Sequence, residues 1–398
     1  MTTPDTMFRA ARRTDAVRPS DVLEMMAIAR RMQQSGTEVA YLVQGEPDFD
    51  TPRHVKDAAY QALLDGYTHY PPPEGYPELR SAVAARMRAD LGLEYDAESE
   101  VLVTNGASLG LYLAIAAVVE EGDEVLITDP AYGAYAMLIE SAGGTVVRVP
   151  CAADDFVSTL DVEALRACVT PRTKAIVYCN PDNPTGRVMP ESTLHAIGEI
   201  AVEHDLVVIS DEVYHAFTYG SEPRVLAALD DAFREHCIVV NSFSKTYAMT
   251  GWRMGYNLAP PHLMGAMRKM NAIAGRAAAA FVQRAGIAAL EGSQDDVAAM
   301  TGEYRRRRDH MVERLAQVPG IRFTRPDGGF YVFVDVSEYA GDTRAFARTL
   351  LERGRVVLTP GEYYGPAGAG HLRFSFAVAS DVIDRGLDGF AAALEGLR

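Results

Sequence analysis

One lysine of this sequence stands where an amine could do covalent chemistry. Lys245 ends the segment Ser242-Phe243-Ser244-Lys245, which follows the short apolar run 238–241. Open α/β folds bind ligands at the carboxyl ends of such strands. Apolar neighbours, together with Arg253 eight residues further on, would lower the pKa of the amine and make it a nucleophile towards carbonyl groups. The competing interpretation is an ordinary lysine at a strand end, with its ammonium group in solvent.

Lysine is rare in this chain, which gives that position more weight. The chain has 38 basic residues other than histidine, and only Lys56, Lys174, Lys245 and Lys269 among them are lysines. Arginine cannot replace lysine as an imine-forming amine, because its guanidinium group stays protonated in proteins.

Three further segments place polar groups after predicted strands. Asp211, in Ser210-Asp211-Glu212-Val213-Tyr214, could bind a metal, act as a base, keep a heterocyclic nitrogen protonated, or only cap a turn. The segment Asn180-Pro181-Asp182-Asn183-Pro184-Thr185-Gly186 holds two X-Pro steps, which stiffen the backbone and orient the Asn side chains. Asn105-Gly106-Ala107-Ser108 opens a helix with small residues, so its backbone N–H groups suit a phosphate. The glycine fingerprints of ATP-binding and NAD-binding loops are missing.

Composition limits the class of protein. The chain has 398 residues and a net charge of −16, which argues against a general nucleic-acid or acidic-membrane binder. Its four cysteines form no C-x-x-C pair, which favours buried thiols in a reducing compartment over a zinc site or a disulfide framework. No secretory signal and no apolar run long enough to span a bilayer are found, so a cytoplasmic protein without a metal is expected.

The order of predicted elements indicates an α/β fold with two domains. Short apolar runs at 101–103, 124–128, 145–149, 174–179, 206–210 and 238–241 alternate with helical stretches. This pattern predicts a large domain, residues 46–290, whose mostly parallel sheet is sandwiched by helices. After about residue 290, helical stretches are separated by alternating runs at 330–334 and 372–376. Residues 291–398 are therefore predicted to form a smaller α+β domain, on which residues 1–45, with a helix over 19–34, would pack.

The ordered combination of these motifs is more specific than any one of them. Asn183, Asp211, Lys245 and Arg253, in that order, resemble the fold-type-I pyridoxal-phosphate enzymes, and specifically the class I/II aminotransferases related to aspartate aminotransferase. The resemblance extends from Gly45-Glu46-Pro47-Asp48-Phe49 to Leu372-Arg373-Phe374-Ser375. It implies an aspartate-aminotransferase-like fold and pyridoxal 5'-phosphate as the cofactor of the large domain.

The resemblance also implies a role for each matching residue. Lys245 would form the internal aldimine and then move the proton between the substrate Cα and the cofactor. Asp211 would keep the pyridinium nitrogen protonated, Asn183 and Tyr214 would hydrogen-bond the ring 3-oxygen, and Tyr132 would stack on the ring. The phosphate would be held by Gly106, Ala107, Ser108, Ser242, Ser244 and Arg253, and by Tyr70 of a second subunit.

Substrate recognition is where the sequence is least informative. By the same resemblance, Arg373 would bind the substrate α-carboxylate, with the backbone of Gly45 close by. The chain departs from the family at Ser108, where some subfamilies have lysine. It departs from the family again at residues 272–280, a segment that contains no hydroxyl-bearing residue and includes Arg276. Arg276 is a candidate contact for a substrate carboxylate or a phosphate, or merely a helix-start arginine.

The expected activity is transamination between an L-amino acid and a 2-oxo acid in a homodimer whose active sites lie at the subunit interface. The alternative within the same fold is β- or γ-elimination or replacement, or oxidation, as in specialised biosynthesis. A regulatory sensor of this fold would need a DNA-binding module, for which about 20 residues before the first helix leave no room. A catalytically dead binding protein is disfavoured, because Lys245, Asp211 and Arg373 are all present.

Overall fold

The computed structural model describes residue 14 and residues 21–154, 157–220 and 222–396. The first residues of the predicted N-terminal helix, 19 and 20, lie outside that range. No helix of the described residues is long and apolar enough to cross a membrane.

The helices begin and end as follows: α1 Asp21–Gln34, α2 Arg53–Leu64, α3 Pro77–Leu91, α4 Ala107–Val118, α5 Ala134–Ser141, α6 Val162–Cys168, α7 Glu191–His204, α8 Asp231–Glu235, α9 Phe243–Thr246, α10 Pro261–Ala274, α11 Ala280–Glu291, α12 Asp295–Leu315, α13 Thr343–Gly354 and α14 Ser380–Glu395. Short 3₁₀ helices lie at Leu226–Ala228, Thr250–Trp252, Gly361–Tyr364 and Pro366–Gly368.

The strands are β1 Ala40–Tyr41, β2 Val101–Thr104, β3 Glu124–Asp129, β4 Thr145–Asp154, β5 Val157–Leu160, β6 Thr173–Cys179, β7 Val207–Asp211, β8 Cys237–Ser242, β9 Gly255–Leu258, β10 Arg322–Phe323, β11 Tyr331–Asp335, β12 Val356–Val357, β13 Thr359–Pro360 and β14 His371–Ser375.

The large sheet has eight strands in the order β2-β9-β8-β7-β6-β3-β4-β5. Its central pairs, β8 with β7, β7 with β6, β6 with β3 and β3 with β4, are all parallel, so the predicted α/β fold is confirmed. Towards the edges the pairing is antiparallel: β9 runs between β2 and β8, and β5 returns along β4. Strand β9 was not predicted, because Gly255 and Asn257 interrupt any apolar run in its sequence.

The sheet is covered on both faces, which explains why its strands are apolar throughout. Successive residues of β7 alternate between the two faces: Val208 belongs to one buried cluster and Ile209 to the other. Such burial on both faces is typical of parallel strands between helices.

The smaller α+β part is built around an antiparallel sheet in the order β10-β11-β14-β13. The two alternating runs of the sequence pair with each other there, with Phe333 opposite Arg373. Residues 40–41 of the N-terminal segment pair with β12, which lies in the same part of the molecule. The domain boundaries at residues 45/46 and 290/291 stay a prediction.

Candidate active site

A cavity of ≈ 490 Å³ opens where the carboxyl ends of β6, β7 and β8 meet. It is large enough for a cofactor and a small substrate together. Every site residue predicted from the sequence lines this cavity except Gly106, Tyr70 and Arg276. The parallel strands therefore bring together residues that are far apart in the chain.

Lys245 enters the cavity from the turn that follows β8. The side chain of Ser242 caps the short helix α9 by accepting a hydrogen bond from the backbone N–H of Ser244, 3.0 Å away. This fixes the direction of the helix that carries the lysine. The Nζ atom donates to the backbone carbonyl of Gly45. Burial lowers the pKa of the Lys245 ammonium group to about 8, so about a tenth of it is the free amine at pH 7.

Asp211 is the last residue of β7 and presents its carboxylate at the floor of the cavity. Burial raises the pKa of this carboxyl group to about 6, against the lowering effect of a hydrogen bond from Tyr135. The Tyr135 hydroxyl donates to Asp211 Oδ2 over 2.7 Å and is itself fully enclosed. A buried carboxylate held in this way fits a protonated ring nitrogen as its partner.

The neighbouring Glu212 faces away from the cavity and forms a hydrogen bond with the side chain of Ser210. As the alternation along the strand predicted, the two carboxylates do not form a catalytic pair.

A cradle for a phosphate lies at the start of α4. Gly106 has φ +80°, and a Cβ there would lie 2.7 Å from Nη2 of Arg253, so only glycine lets the guanidinium group come this close. Within the described part of the chain, no side chain caps the helix that begins at Ala107, which leaves its N-terminal end available to an anion. Ser108, Ser242 and Ser244 line the cavity close by. Guanidinium, hydroxyl and backbone groups of this kind fit the phosphate of pyridoxal 5'-phosphate.

Arg373 reaches the opposite end of the cavity from β14. Its guanidinium group donates to Asn183 Oδ1 over 3.0 Å and to the backbone carbonyl of Val43 over 2.8 Å. Its centre stacks on the ring of Tyr331, 4.1 Å from the ring centroid. Among the described residues Nε has no hydrogen-bond partner, although it is buried. A buried guanidinium group that lines the cavity is suited to a carboxylate.

The side chains of Tyr132, Tyr214 and Asn183 line the cavity between the phosphate cradle and Arg373. Tyr132 lies edge-on to Tyr135, and the Tyr214 hydroxyl is 3.1 Å from that of Tyr331. Burial raises the pKa of both the Tyr132 and the Tyr214 hydroxyl, so both are neutral at ordinary pH. Asn183 uses its carbonyl oxygen for Arg373.

Tyr70 and Arg276 lie outside the cavity of a single chain. The side chain of Tyr70 is 86% exposed, and the Arg276 guanidinium group stacks on its ring at 5.2 Å. The backbone oxygens of Gly275 and Arg276 accept hydrogen bonds from Asn105, next to the phosphate cradle. The two residues are thus neighbours on the surface beside the site.

Sequence reasoning missed several residues that line the cavity. Tyr331, Tyr363 and Tyr364 come from the smaller domain, and Met26 comes from the N-terminal helix. These residues carry no motif, and only the three-dimensional fold brings them to the strand ends.

The fold and this cavity define an enzyme that transfers amino groups. The model of the family "Aminotransferase class I and II" matches residues 37–390, and the chain belongs to this family. The aspartate aminotransferase of Pyrococcus abyssi is 38% identical over 94% of this chain and 96% of its own. The aspartate/prephenate aminotransferase of Thermus thermophilus is 39% identical over 96% and 98%.

Solved structures agree with the sequence relatives. The Thermus thermophilus aspartate aminotransferase with maleate superposes with a TM-score of 0.92 at 38% identity, over 97% of this chain and 100% of that one. This protein is therefore a pyridoxal-phosphate-dependent aminotransferase that acts on amino acids and 2-oxo acids. Nothing in the comparisons favours elimination, replacement or oxidation.

Proposed function

We propose that Lys245 carries the cofactor and moves the proton at the substrate Cα. The observation that supports this most strongly is the placement of its amine, whose pKa burial lowers to about 8, between Asp211 and Arg373 in one cavity. When bound, pyridoxal 5'-phosphate supplies an aldehyde that accepts amino groups and a ring that takes up the electron pair left when Cα loses its proton. An amine near its pKa can both accept and return that proton.

Asp211 would hold a proton on the cofactor's ring nitrogen by its negative charge. Tyr135 keeps one oxygen of Asp211 in place, and the ring nitrogen would bind the carboxylate from the cavity side. The amide NH₂ of Asn183 and the Tyr214 hydroxyl would donate to the ring 3-oxygen, because the Asn183 carbonyl is already used by Arg373.

The substrate would be oriented by its α-carboxylate. Arg373 lines the cavity, where its guanidinium group can offer N–H donors to the carboxylate, and Gly45 lines the same cavity. With the carboxylate held there, the amino group and Cα would lie towards Lys245. This contact is shared by all α-amino acids, so it fixes the class of substrate and not its identity.

The active species would be a homodimer in which Tyr70 and Arg276 complete the partner's site. Both are exposed beside the cavity in one chain, and Ile273, in the same region of the sequence, is 82% exposed. Exposed aromatic and apolar side chains that lie together beside a binding cavity are compatible with a subunit interface. In this arrangement Tyr70 would contact the partner's phosphate. Arg276, stacked on it, would face the partner's phosphate or a substrate carboxylate.

We infer a cytoplasmic location from the cysteines. Cys179 and Cys237 are buried free thiols, as is common in a reducing compartment.

Borohydride reduction of the protein as purified with its cofactor tests the assignment of Lys245. The mass of the reduced cofactor is expected on one peptide, the one that contains Lys245. Labelling at Lys174 or Lys269 would contradict the proposed role.

The homodimer is tested by coexpressing Lys245→Ala and Tyr70→Ala chains with different tags. A hybrid dimer has one site with both residues intact, so its activity should exceed that of either parent. A wild-type monomer that is fully active in sedimentation experiments would contradict the shared site.

A further inference from the structure

The loop at residues 361–364 of the smaller domain brings two adjacent tyrosines to the cavity. It is a 3₁₀ turn between β13 and β14, and both Tyr363 and Tyr364 line the cavity. The two rings meet edge to face, with centroids 5.1 Å apart. Neither residue is needed for the chemistry assigned above.

The large domain holds this loop in place. The backbone N–H of Ala131 donates to the carbonyl of Tyr364 over 2.9 Å, and Arg148 Nη1 donates to the same carbonyl over 3.3 Å. The side chain of Asp129 accepts from the N–H of Ala367, at 3.3 Å. These contacts tie the loop to the end of β3, so the position of its side chains is defined.

Tyr363 packs directly against the segment that carries Tyr132. A Cβ on Gly133 would lie 2.6 Å from the Tyr363 carbonyl oxygen and 3.0 Å from Cζ of its ring, so residue 133 must be glycine for this approach. Any larger residue there would push Tyr363 away from the cavity. Gly133 of the large domain and Tyr363 of the smaller domain therefore fix the position of the Tyr363 ring where the two domains meet.

Tyr363 packs on Gly133, next to Tyr132 in the chain, and lines the same cavity as Arg373. Burial raises the pKa of Tyr132, and the Tyr363 hydroxyl adds to that effect. Burial acts to lower the pKa of Arg373, whereas surrounding tyrosines, Tyr363 among them, raise it. Tyr363 therefore lines the same cavity as the proposed ring-stacking residue and the proposed carboxylate-binding residue.

A substrate held by Arg373, with its Cα at Lys245, would place its side chain near this wall. The cations that line the cavity are Lys245, Arg253 and Arg373, all described above with other roles. No further cation of this chain lines it among the described residues to receive a second carboxylate. The remaining lining residues include the aromatic or apolar Tyr363, Tyr364 and Met26, the uncharged polar Gln44 and Thr250, and the acidic Glu46.

We propose that Tyr363 determines substrate choice, because its ring forms the wall against which the substrate side chain packs, and that it favours aromatic amino acids. An aromatic side chain gains both buried area and ring-to-ring contact there, which a methyl group cannot. The proposal takes the position of the substrate from the proposed function. The packing of a side chain against the ring of Tyr363 does not itself require that the bound molecule react.

Kinetics with amino acids of different size test it. For wild type, kcat/KM should be higher for phenylalanine than for alanine or aspartate. Tyr363→Ala should lower kcat/KM for phenylalanine by about 10- to 100-fold and change that for alanine by less than about threefold. Tyr363→Phe keeps the ring and should keep the preference. Tyr339→Ala, a tyrosine of the smaller domain outside the cavity, is the matched control and should leave the preference unchanged.

Equal losses for phenylalanine and alanine in Tyr363→Ala, or no loss for either, would overturn the proposal, and so would a wild-type preference for aspartate. Calorimetric titration with 3-phenylpropionate and propionate separates this proposal from the proposed function, because neither carboxylate can react. Wild type should bind 3-phenylpropionate more tightly, and Tyr363→Ala should remove most of the difference. A difference that survives in Tyr363→Ala would refute the role of Tyr363 whatever the catalytic result.

Discussion

The two walls of the cavity differ in how they are built. The wall formed by the large sheet consists of strand ends and the turns directly after them, and it presents charged and hydrogen-bonding groups such as Asp211 and Lys245. The wall formed by the smaller domain is aromatic, with Tyr331, Tyr363 and Tyr364 around the single charge of Arg373.

This difference suggests a division of labour. Chemistry common to all amino acids needs groups held rigidly with defined pKa values, and strand ends in a buried parallel sheet provide both. Selection among side chains needs shape and apolar area, which a loop supplies without disturbing the sheet. Variants of the sheet wall should therefore affect every substrate alike, whereas aromatic variants of the other wall should affect some substrates more than others.

Lys245→Ala should give the largest effect. Loss of the amine that moves the proton is expected to lower kcat by about 10⁴-fold for every amino acid. Lys269→Ala, which changes an exposed lysine of α10, is the control and should match wild type. Residual activity within tenfold of wild type in Lys245→Ala would remove the lysine from the mechanism.

Asp211→Ala should follow with a loss in kcat of about 10³-fold, because the charge that holds the ring proton is removed from a buried site. Cofactor content measured from the visible spectrum should stay near that of wild type. Asp211→Glu keeps the charge and should lose much less. Comparable kcat values in Asp211→Ala and wild type would refute the role.

Arg373→Ala sharpens the comparison, because the residue belongs to the smaller domain but contacts a group that all substrates share. Breaking a buried pair between arginine and carboxylate costs roughly 3–5 kcal/mol, so kcat/KM should fall by about 200- to 5,000-fold for alanine and phenylalanine alike. A loss of kcat/KM for only one of the two amino acids would show that Arg373 contacts the substrate side chain instead of the α-carboxylate.

The pH dependence of cofactor uptake gives a smaller but more specific effect. Burial lowers the pKa of Lys245 from 10.5 to about 8, so the fraction of free amine in cofactor-free protein rises through pH 8 and is nearly complete above pH 9. The rate at which added pyridoxal 5'-phosphate is taken up, followed by absorbance, should rise over that range and then level off. A rate that keeps rising towards pH 10.5 would show an ordinary, solvated lysine.

Most of the sheet wall could be predicted from the sequence, because its residues are local to recognisable strands. Lys245 and Asp211 directly follow or end apolar runs, and the carboxyl ends of parallel strands meet at one edge. The hydrogen bond from Tyr135 to Asp211 could not be predicted, since it joins residues 76 positions apart. No pattern of spacing identifies such a contact.

The aromatic wall was largely beyond sequence reasoning. Arg373 was identified by its motif, but Tyr363 approaches the cavity only because β13 and β14 pair and because the loop between them docks on Ala131 and Gly133. The prediction that Tyr70 and Arg276 belong to an active site differs from both walls, because it depends on a second subunit.

The division of labour between the walls is tested most directly by one ratio, kcat/KM for phenylalanine divided by kcat/KM for alanine, in wild type, Asp211→Glu and Tyr363→Ala. If the two walls act independently, the effects of substitutions in them on the activation free energy should be additive. Asp211→Glu should then lower both values by the same factor and leave the ratio within about twofold, while Tyr363→Ala should lower the ratio about tenfold or more. A ratio that changes as much in Asp211→Glu as in Tyr363→Ala would contradict the account.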